Sequence, residues 1–360
     1  MARIVYGVSG EGSGHSSRAR VVLRHLVERG HEVKVATYDR GLRTLAAGFD
    51  VIEVEGLHIA SDDNRVSKVE TFVENLRRLP EGFQRLRQLR REAFESFAPD
   101  VVFTDFEPMT AYLALHHDLP LVTIDNQHRM RYMRCPRPDH LKADARVTET
   151  VIRAIVPRPD VSLITTFWFG ELLNQRSFLF GPILRRELLA LEPSEGEHVL
   201  VYLTKGFDAL LETLRTLPAE RFRVYGTGRE GEDGNLAFRP FSHEGFLGDL
   251  ASARAVVSTA GFTLMTEALH LGKPMLALPM RGQFEQELNA LMLEDTGSGR
   301  NGREATRDTV AAFLYDLPRY REALARYPRG DNSAILTKVD ELLADGCALA
   351  RELHARRKAE

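Results

Sequence analysis

The feature that most limits what this chain can become is a repeated local pattern: a short apolar run, a polar or glycine-bearing turn, then apolar residues at helical spacing. Its clearest copy lies between Arg254 and Ala290. Ala255-Val256-Val257 runs into Ser258, Thr259, Ala260 and Gly261, after which Phe262, Met265, Leu269 and Leu271 recur at helical spacing. Gly272 stops that helix, Lys273-Pro274 turns the chain, and Met275 to Leu278 forms a second apolar run. This is a strand–helix–strand unit whose loops at the strand ends can face a ligand.

The N-terminal half repeats the pattern. Ile4 to Val8 reads as a buried strand, Ser9-Gly10-Glu11-Gly12-Ser13-Gly14-His15 as the turn, and Val21, Val22, Leu26 and Val27 as a helix ending at Gly30. His31 to Thr37 and Val51 to Val54 follow as strands. An opening of this kind predicts an α/β chain with a parallel, doubly wound sheet. The glycines allow a tight turn, but their spacing is no dinucleotide fingerprint and implies no NAD. Further strands are expected at Pro99 to Thr104, Leu121 to Ile124 and Val161 to Thr165, with helical periodicity between Arg65 and Phe97. A second strand set begins at His198 to Leu203 and continues at Phe222 to Tyr225, and Leu236-Ala237-Phe238 leads on to Arg239-Pro240-Phe241-Ser242. Helices are expected at Arg307 to Leu314, at Pro318 to Arg326, and from Asn332 onward, the last with a frayed polar tail from Arg351 to Glu360. The predicted organisation is an N-terminal domain (1–180), a Pro/Glu/Gly-bearing linker (181–197), a C-terminal domain (198–330) and a terminal helix (331–360).

At 360 residues the chain is long enough for two such cores, and 43% hydrophobic with 28% charged residues is the balance of a globular protein. A formal net charge of -3 argues against nucleic acid as main partner. Two distant cysteines, Cys135 and Cys347, fit no metal-ligand spacing and suit a reducing cytoplasm. There is no signal-peptide pattern and no apolar run near the ~20 residues needed to span a bilayer. The expected location is cytoplasmic, at most peripheral at the inner face of the membrane. Arg77, Arg78, Arg85, Arg87, Arg90 and Arg91 read as a solvated helix face; the sharper alternative is a surface for anionic lipid headgroups, worth ~1 kcal/mol per basic residue.

The polar residues at strand ends carry the chemistry. Ser258, Thr259, Ala260 and Gly261 stand where a strand hands over to a helix, so backbone N–H groups and a helix end of about +0.5 charge suit a phosphate. Glu267, one turn into that helix with Thr263, can accept from two vicinal hydroxyls of a ribose. Glu285, Gln286 and Asn289 are sized for sugar hydroxyls. Lys205 and the Gly226-Thr227-Gly228 turn lie where a diphosphate could approach. In the first half, His15 opens a helix beside the carboxyl edge of the first strand, and Asp105 stands just past a neighbouring strand on the same edge. A carboxylate on one ring nitrogen fixes the tautomer and leaves the other as a base. Glu107 in the same loop competes for that role. Asn126, Gln127 and His128 crowd the end of the next strand and, with Gly12, Gly14 and Glu107, are the expected acceptor-side wall. Arg129, Arg131 and Arg134 beyond them suit an anionic acceptor.

The order Ser/Thr, Gly, Thr, Glu, Gly-x-Pro, Pro, Glu-Gln, Asn-Ala resembles the donor-binding signature of GT-B glycosyltransferases, which have two facing Rossmann-like domains. The likeness is nearest to the group holding UDP-glucuronosyl and plant secondary-metabolite transferases and the enzyme that adds N-acetylglucosamine to the peptidoglycan precursor. Gly261, Thr263 and Glu267 fall on that family's glycine, hydroxyl and ribose-holding glutamate, and Pro279 with Glu285-Gln286 and Asn289-Ala290 on its closing motif. A histidine that many members carry in the 258–260 loop is absent here. The resemblance implies a donor domain that reads the nucleobase at the Phe241 backbone, His15 as base with Asp105 as its partner, and terminal helices crossing back to the first domain as a hinge. It implies an inverting transferase that moves a sugar from a nucleotide-diphosphate sugar (UDP-sugar favoured) to a hydroxyl acceptor, either lipid-linked or a small molecule. No cofactor is expected beyond the nucleotide-sugar co-substrate, and no Asp-x-Asp stands ready for a metal. The rival readings are a nucleotide-sugar epimerase of the same architecture and a non-catalytic partner subunit.

Overall fold

The computed structural model describes residues 1–56, 61–62, 65–66, 79–203 and 208–359. The chain divides into two compact units: Met1–Ala60, Ser67–Arg185 and Asp331–Glu360 form the first, and Ser61–Val66 with Arg186–Gly330 the second.

The first unit is built on a seven-stranded sheet. Its strands are β1 (Arg3–Val8), β2 (Glu32–Thr37), β3 (Asp50–Glu53), β4 (Val101–Asp105), β5 (Leu121–Asp125), β6 (Val161–Thr165) and β7 (Ser177–Phe180), in the order β3-β2-β1-β4-β5-β6-β7. Every neighbouring pair is parallel. Side chains alternate across a strand, so both faces of β1 are put to use. Ile4, Tyr6 and Val8 pack with Ala19, Val22, Leu23 and Leu26 of helix α1 (Gly14–Glu28), while Val5 faces Leu89, Ala93, Phe94 and Ala111 on the other side. In the register Val8 pairs with Asp105, and the Ser9 amide donates to the Asp105 carbonyl at 3.0 Å. That register brings the loop after β1 to the end of β4.

The helical periodicity before β4 becomes a helix at Leu79–Leu89 that widens into a π-helical stretch at Arg90–Ser96. Arg77 and Arg78 lie outside the described residues. Arg85 pairs with Glu53 at 3.0 Å and with Glu55 at 3.3 Å, and Arg90 pairs with Glu95 at 2.9 Å.

The helix at Ser333–Ala359 belongs to the first unit and is interrupted at Ala344–Cys347. Ile335, Val339, Leu342, Leu343, Ala350 and Leu353 complete the core over α1. The expectation of a frayed tail fails for a physical reason. Asp160 is fully buried and takes Arg357 Nε and, at 3.0 Å, His354 Nδ1, while Lys358 holds Asp118 at 2.6 Å. Asn332, in the left-handed region at φ 74°, accepts from the Leu184 amide at 2.8 Å and donates to its carbonyl at 2.7 Å. The segment leading into the second unit and the segment returning from it are thereby stapled together.

The second unit repeats the plan with β8 (His198–Tyr202), β9 (Arg221–Tyr225), β10 (Gly231–Asp233), β11 (Leu236–Phe238), β12 (Ala255–Thr259), β13 (Met275–Leu278) and β14 (Gly299–Asn301). The order is β10-β11-β9-β8-β12-β13-β14, parallel except for the β10–β11 hairpin. Val199, Val201, Val224 and Val257 pack beneath Leu210, Leu214, Val310, Phe313 and Tyr320. Among the described residues no helix is long and apolar enough to cross a membrane.

Candidate functional site

In the first unit three loops meet at the carboxyl edge of the sheet, after β1, β4 and β5. His15, the second residue of α1, places Nδ1 2.7 Å from Asp105 Oδ1. The imidazole is 12% exposed and the carboxylate not at all. In the tautomer that carries its proton on Nδ1 the ring donates to Asp105 and leaves Nε2 as the lone-pair nitrogen; Arg18 Nη2, a donor, lies 2.8 Å from the same Nδ1.

Arg18, which reading the sequence does not single out, binds the same carboxylate. Its Nε reaches Asp105 Oδ2 and its Nη2 reaches Oδ1, both at 2.5 Å, a bidentate pair. Nη1 donates to Asn126 Oδ1 at 2.7 Å, and Nη2 lies 3.5 Å from Gln127 Oε1 and 2.8 Å from His15 Nδ1. Arg18 is 5% exposed and sits with Ala19, Val22, Leu23 and Leu26 on the buried side of α1. Burial pulls its basicity down, but the charge and hydrogen bonds of Asp105 more than compensate and hold it above the ordinary arginine range. The sequence does carry a signal for it: an arginine one turn after His15, in register with an apolar stripe.

The acceptor-side expectations need correction. Asn126 and Gln127 are buried and turn their carbonyl oxygens toward Arg18. His128 is fully buried; its Nδ1 bonds Asp125 Oδ2 at 2.7 Å, its backbone amide donates to Asp125 Oδ1 at 2.8 Å, and its ring stacks on Tyr132. Burial works against ionisation of Asp125, yet His128 and Arg18 bring it below the usual carboxylate range. This is a second imidazole–carboxylate pair inside the unit, not a wall.

Glu107 is likewise spoken for. It is the N-cap of α2 (Pro108–His116), accepting from the amides of Met109 and Thr110 at 2.8 Å and from the Thr110 hydroxyl at 2.6 Å. It is fully buried, and burial raises its pKa above the usual carboxyl range despite those bonds. A base needs a lone pair facing the substrate, and the oxygens of Glu107 face the start of their own helix. Gly12, at φ +73°, has no atom within 4 Å of where a Cβ would stand, and Gly14 is the first residue of α1. Of the arginines beyond, Arg129 is buried, Arg131 lies 4.7 Å above the Tyr132 ring, and Arg134 pairs with Glu171 at 2.9 Å.

In the second unit the loop after β12 opens α3 (Phe262–His270) with Gly261 as N-cap and no side-chain cap. A helix start without a capping side chain presents backbone N–H groups suited to an anion. Thr263 is half-buried in the first turn and Glu267 is 2% exposed. The Ser258 hydroxyl donates to the Tyr202 carbonyl at 2.7 Å and ties β12 to β8. Thr259 and Ala260 are buried. Asn289 Nδ2, on α4 (Phe284–Asp295), donates to the Ala260 carbonyl at 2.7 Å and holds the loop in place. Gln286 accepts from the Met280 amide at 3.1 Å and donates to Gln283 at 2.6 Å, which fixes the loop before α4; Glu285 is half-buried beside it.

Gly226 has φ +88°, and a Cβ there would stand 1.9 Å from the Leu203 carbonyl oxygen, so glycine is required. Phe241 is 63% exposed and leans on Phe246 with ring centroids 5.7 Å apart. Lys205 lies outside the described residues.

Known proteins share both the sequence pattern and the architecture. The sequence model of the family described as glycosyl transferase family 1 matches residues 2–318. An uncharacterized glycosyltransferase of Methanosarcina acetivorans is 25% identical over 379 residues, covering 98% of this chain and 95% of that protein. The glycotransferase of kitacinnamycin superposes with a TM-score of 0.69 at 20% identity, over 95% of this chain and 99% of that one. The Streptomyces sp. SF2575 glycosyltransferase SsfS6, solved with thymidine diphosphate, gives 0.58 at 16% identity, over 95% and 100%. The spinosyn rhamnosyltransferase SpnG, solved with spinosyn aglycone, gives 0.56 at 16%, over 98% and 100%.

Proposed function

The chain belongs to glycosyl transferase family 1 and is a glycosyltransferase of GT-B fold; from that premise we propose that it inverts the sugar of a nucleotide-diphosphate donor, with His15 as base. The observation that carries this reading is the 2.7 Å bond from His15 Nδ1 to a buried Asp105 at the carboxyl edge of the first sheet. The acceptor hydroxyl gives its proton to His15 Nε2 as its oxygen forms a bond to the anomeric carbon. The bond from that carbon to the diphosphate oxygen breaks on the opposite side, and the diphosphate leaves with the electron pair. General-base assistance of this kind is worth ~10²–10⁴ in rate.

In the second unit the donor's diphosphate lies against the start of α3 at Gly261 and Thr263, and Glu267 takes the ribose hydroxyls. Those N–H groups and the helix end stabilise the leaving charge without a metal. The Phe241 backbone meets the nucleobase. A uridine diphosphate sugar is the favoured donor, and the thymidine diphosphate held by SsfS6 makes thymidine the alternative. SpnG's aglycone supports a hydroxyl-bearing acceptor.

The test is a thermal-shift panel of UDP, GDP, dTDP and CDP, followed by transfer assays with sugars of the nucleotide that binds. A nucleotide at about 100 times its dissociation constant should add ~2.7 kcal/mol of stability. His15→Ala should cut transfer ~10²–10⁴-fold and leave the nucleotide response unchanged. Transfer at close to the parental rate would remove His15 from the mechanism.

A further inference from the structure

A buried imidazole–carboxylate pair has a drawback as a base. The carboxylate, removed from water, gains most by pulling a proton onto its partner, and the resulting ion pair holds that proton. A dyad already carrying the proton cannot accept one from an acceptor hydroxyl. Asp105 is wholly buried and His15 12% exposed, the setting in which that drawback arises. The structure supplies a remedy in the same hydrogen-bond set, because Arg18 meets both oxygens of Asp105 at 2.5 Å and brings Nη2 to 2.8 Å from His15 Nδ1.

We infer that Arg18 is the positioning residue that keeps the dyad unprotonated and aimed, neutralising Asp105 and holding it between His15 and Asn126. This deepens the reading of His15 as base and rests on it. With Arg18 ionised, the resting cluster of Arg18, Asp105 and neutral His15 carries no net charge, so the carboxylate needs no proton from the imidazole. Protonating His15 then creates a cation beside a guanidinium, and it happens only when the acceptor delivers its proton. The fork geometry adds orientation. Nε and Nη2 fix the plane of the carboxylate, and Nη1 anchors Arg18 to Asn126 in the loop after β5. A lysine offers one point charge and cannot span the two loops in this way. The other ionisable groups around the cluster are Asp125 and His128, which satisfy each other, and Tyr6, whose hydroxyl is buried and held well above its ordinary range by that burial and by Asp105.

The test needs no substrate. Two-bond ¹H–¹⁵N spectra of histidine-labelled protein follow the protonation and tautomer of His15, assigned with His15→Gln, across a pH titration. In Arg18→Gln the His15–Asp105 pair should take up its proton at a pH at least about one unit higher than in the parent, since loss of a neighbouring cation moves such a group by ~1–3 pH units. The sign is the same whether that proton lands on the imidazole or the carboxylate. An unchanged midpoint would overturn the inference and leave Arg18 a structural residue. In Arg18→Lys the cation stays but the fork is lost, so the balance between the Nδ1–H and Nε2–H tautomers should shift from the parent's. An unchanged tautomer balance in Arg18→Lys would overturn the positioning role, and this variant decides the matter if Arg18→Gln does not fold. Failure of the base assignment itself is read separately, from transfer that survives His15→Ala.

Discussion

The two units present equivalent loops, each running from a parallel strand into a helix, but they fill them with opposite chemistry. After β1 the loop leads to His15 and Arg18, which converge on Asp105 in a set of short side-chain hydrogen bonds. After β12 the loop is Ala260-Gly261, the Ser258 hydroxyl is turned onto β8, and the helix start carries no capping side chain. The contrast fits what the proposed function assigns to each loop. Moving a proton requires groups that change charge, and these must be balanced against one another when buried. Receiving a group that arrives already charged requires only fixed dipoles and room.

This contrast can be broken most forcefully at Gly226. If the second unit relies on backbone shape, Gly226→Ala should cost more than ~3 kcal/mol, since strain at a positive φ alone costs ~1–3 kcal/mol and the new Cβ would stand 1.9 Å from the Leu203 carbonyl oxygen. Urea unfolding measures it, and a loss under ~1 kcal/mol would mean that the backbone there is not fixed. Glu267 is the second unit's exception, a buried carboxylate proposed to hold ribose. Glu267→Gln should weaken nucleotide binding ~10–100-fold by calorimetry, the worth of hydrogen bonds to a charged group. Unchanged affinity would leave that unit with backbone alone.

In the first unit, Glu107 separates structural from reactive carboxylates. Glu107→Gln should cost ~1 kcal/mol as a weakened helix cap and leave transfer near the parental rate; a loss of transfer comparable to His15→Ala would return Glu107 to the mechanism. The smallest change sharpens the comparison most. Gly261 has φ -69° and open space where a Cβ would go. Gly261→Ala should alter unfolding stability by no more than ~0.5 kcal/mol while reducing the thermal shift produced by nucleotide. A full nucleotide response in that variant would mean that the diphosphate does not approach the helix start.

Much of the fold is legible in the sequence because its strands are apolar runs buried on both faces; β1, β5, β6 and β12 stand where Ile4, Leu121, Val161 and Ala255 announce them. The β10 strand is not legible, because Gly231-Glu232-Asp233 has no apolar alternation and pairs only through its neighbour's register. His15 and Asp105 can be brought to one edge from strand order and loop position alone, and the structure puts them in contact there. Arg18 is harder to find: its register with the apolar stripe points to burial, but its role needs the partner that lies 87 residues away. Asn126 and His128 read outward for the same reason: polar groups at a strand end look available until their partners, Arg18 and Asp125, are seen to claim them. Glu107 followed by Pro108 carries a helix-start signal that outweighs its charge as a guide to its role.

The bond pair between Asn332 and Leu184 marks a chain that leaves the core over its first sheet uncovered and comes back to cover it with a helix. Ile335, Val339, Leu342 and Leu353 belong to the core over α1, so that core cannot close until this returning stretch is available. During synthesis the second unit, contiguous from Arg186 to Gly330 apart from Ser61–Val66, emerges while the first still lacks a helix. The amino-terminal part, which is made first, therefore cannot complete its core before the second unit has been made. A chain ending at Gly330 would hold all of the Arg186–Gly330 stretch of the second unit beside a first unit that lacks the helix closing its core.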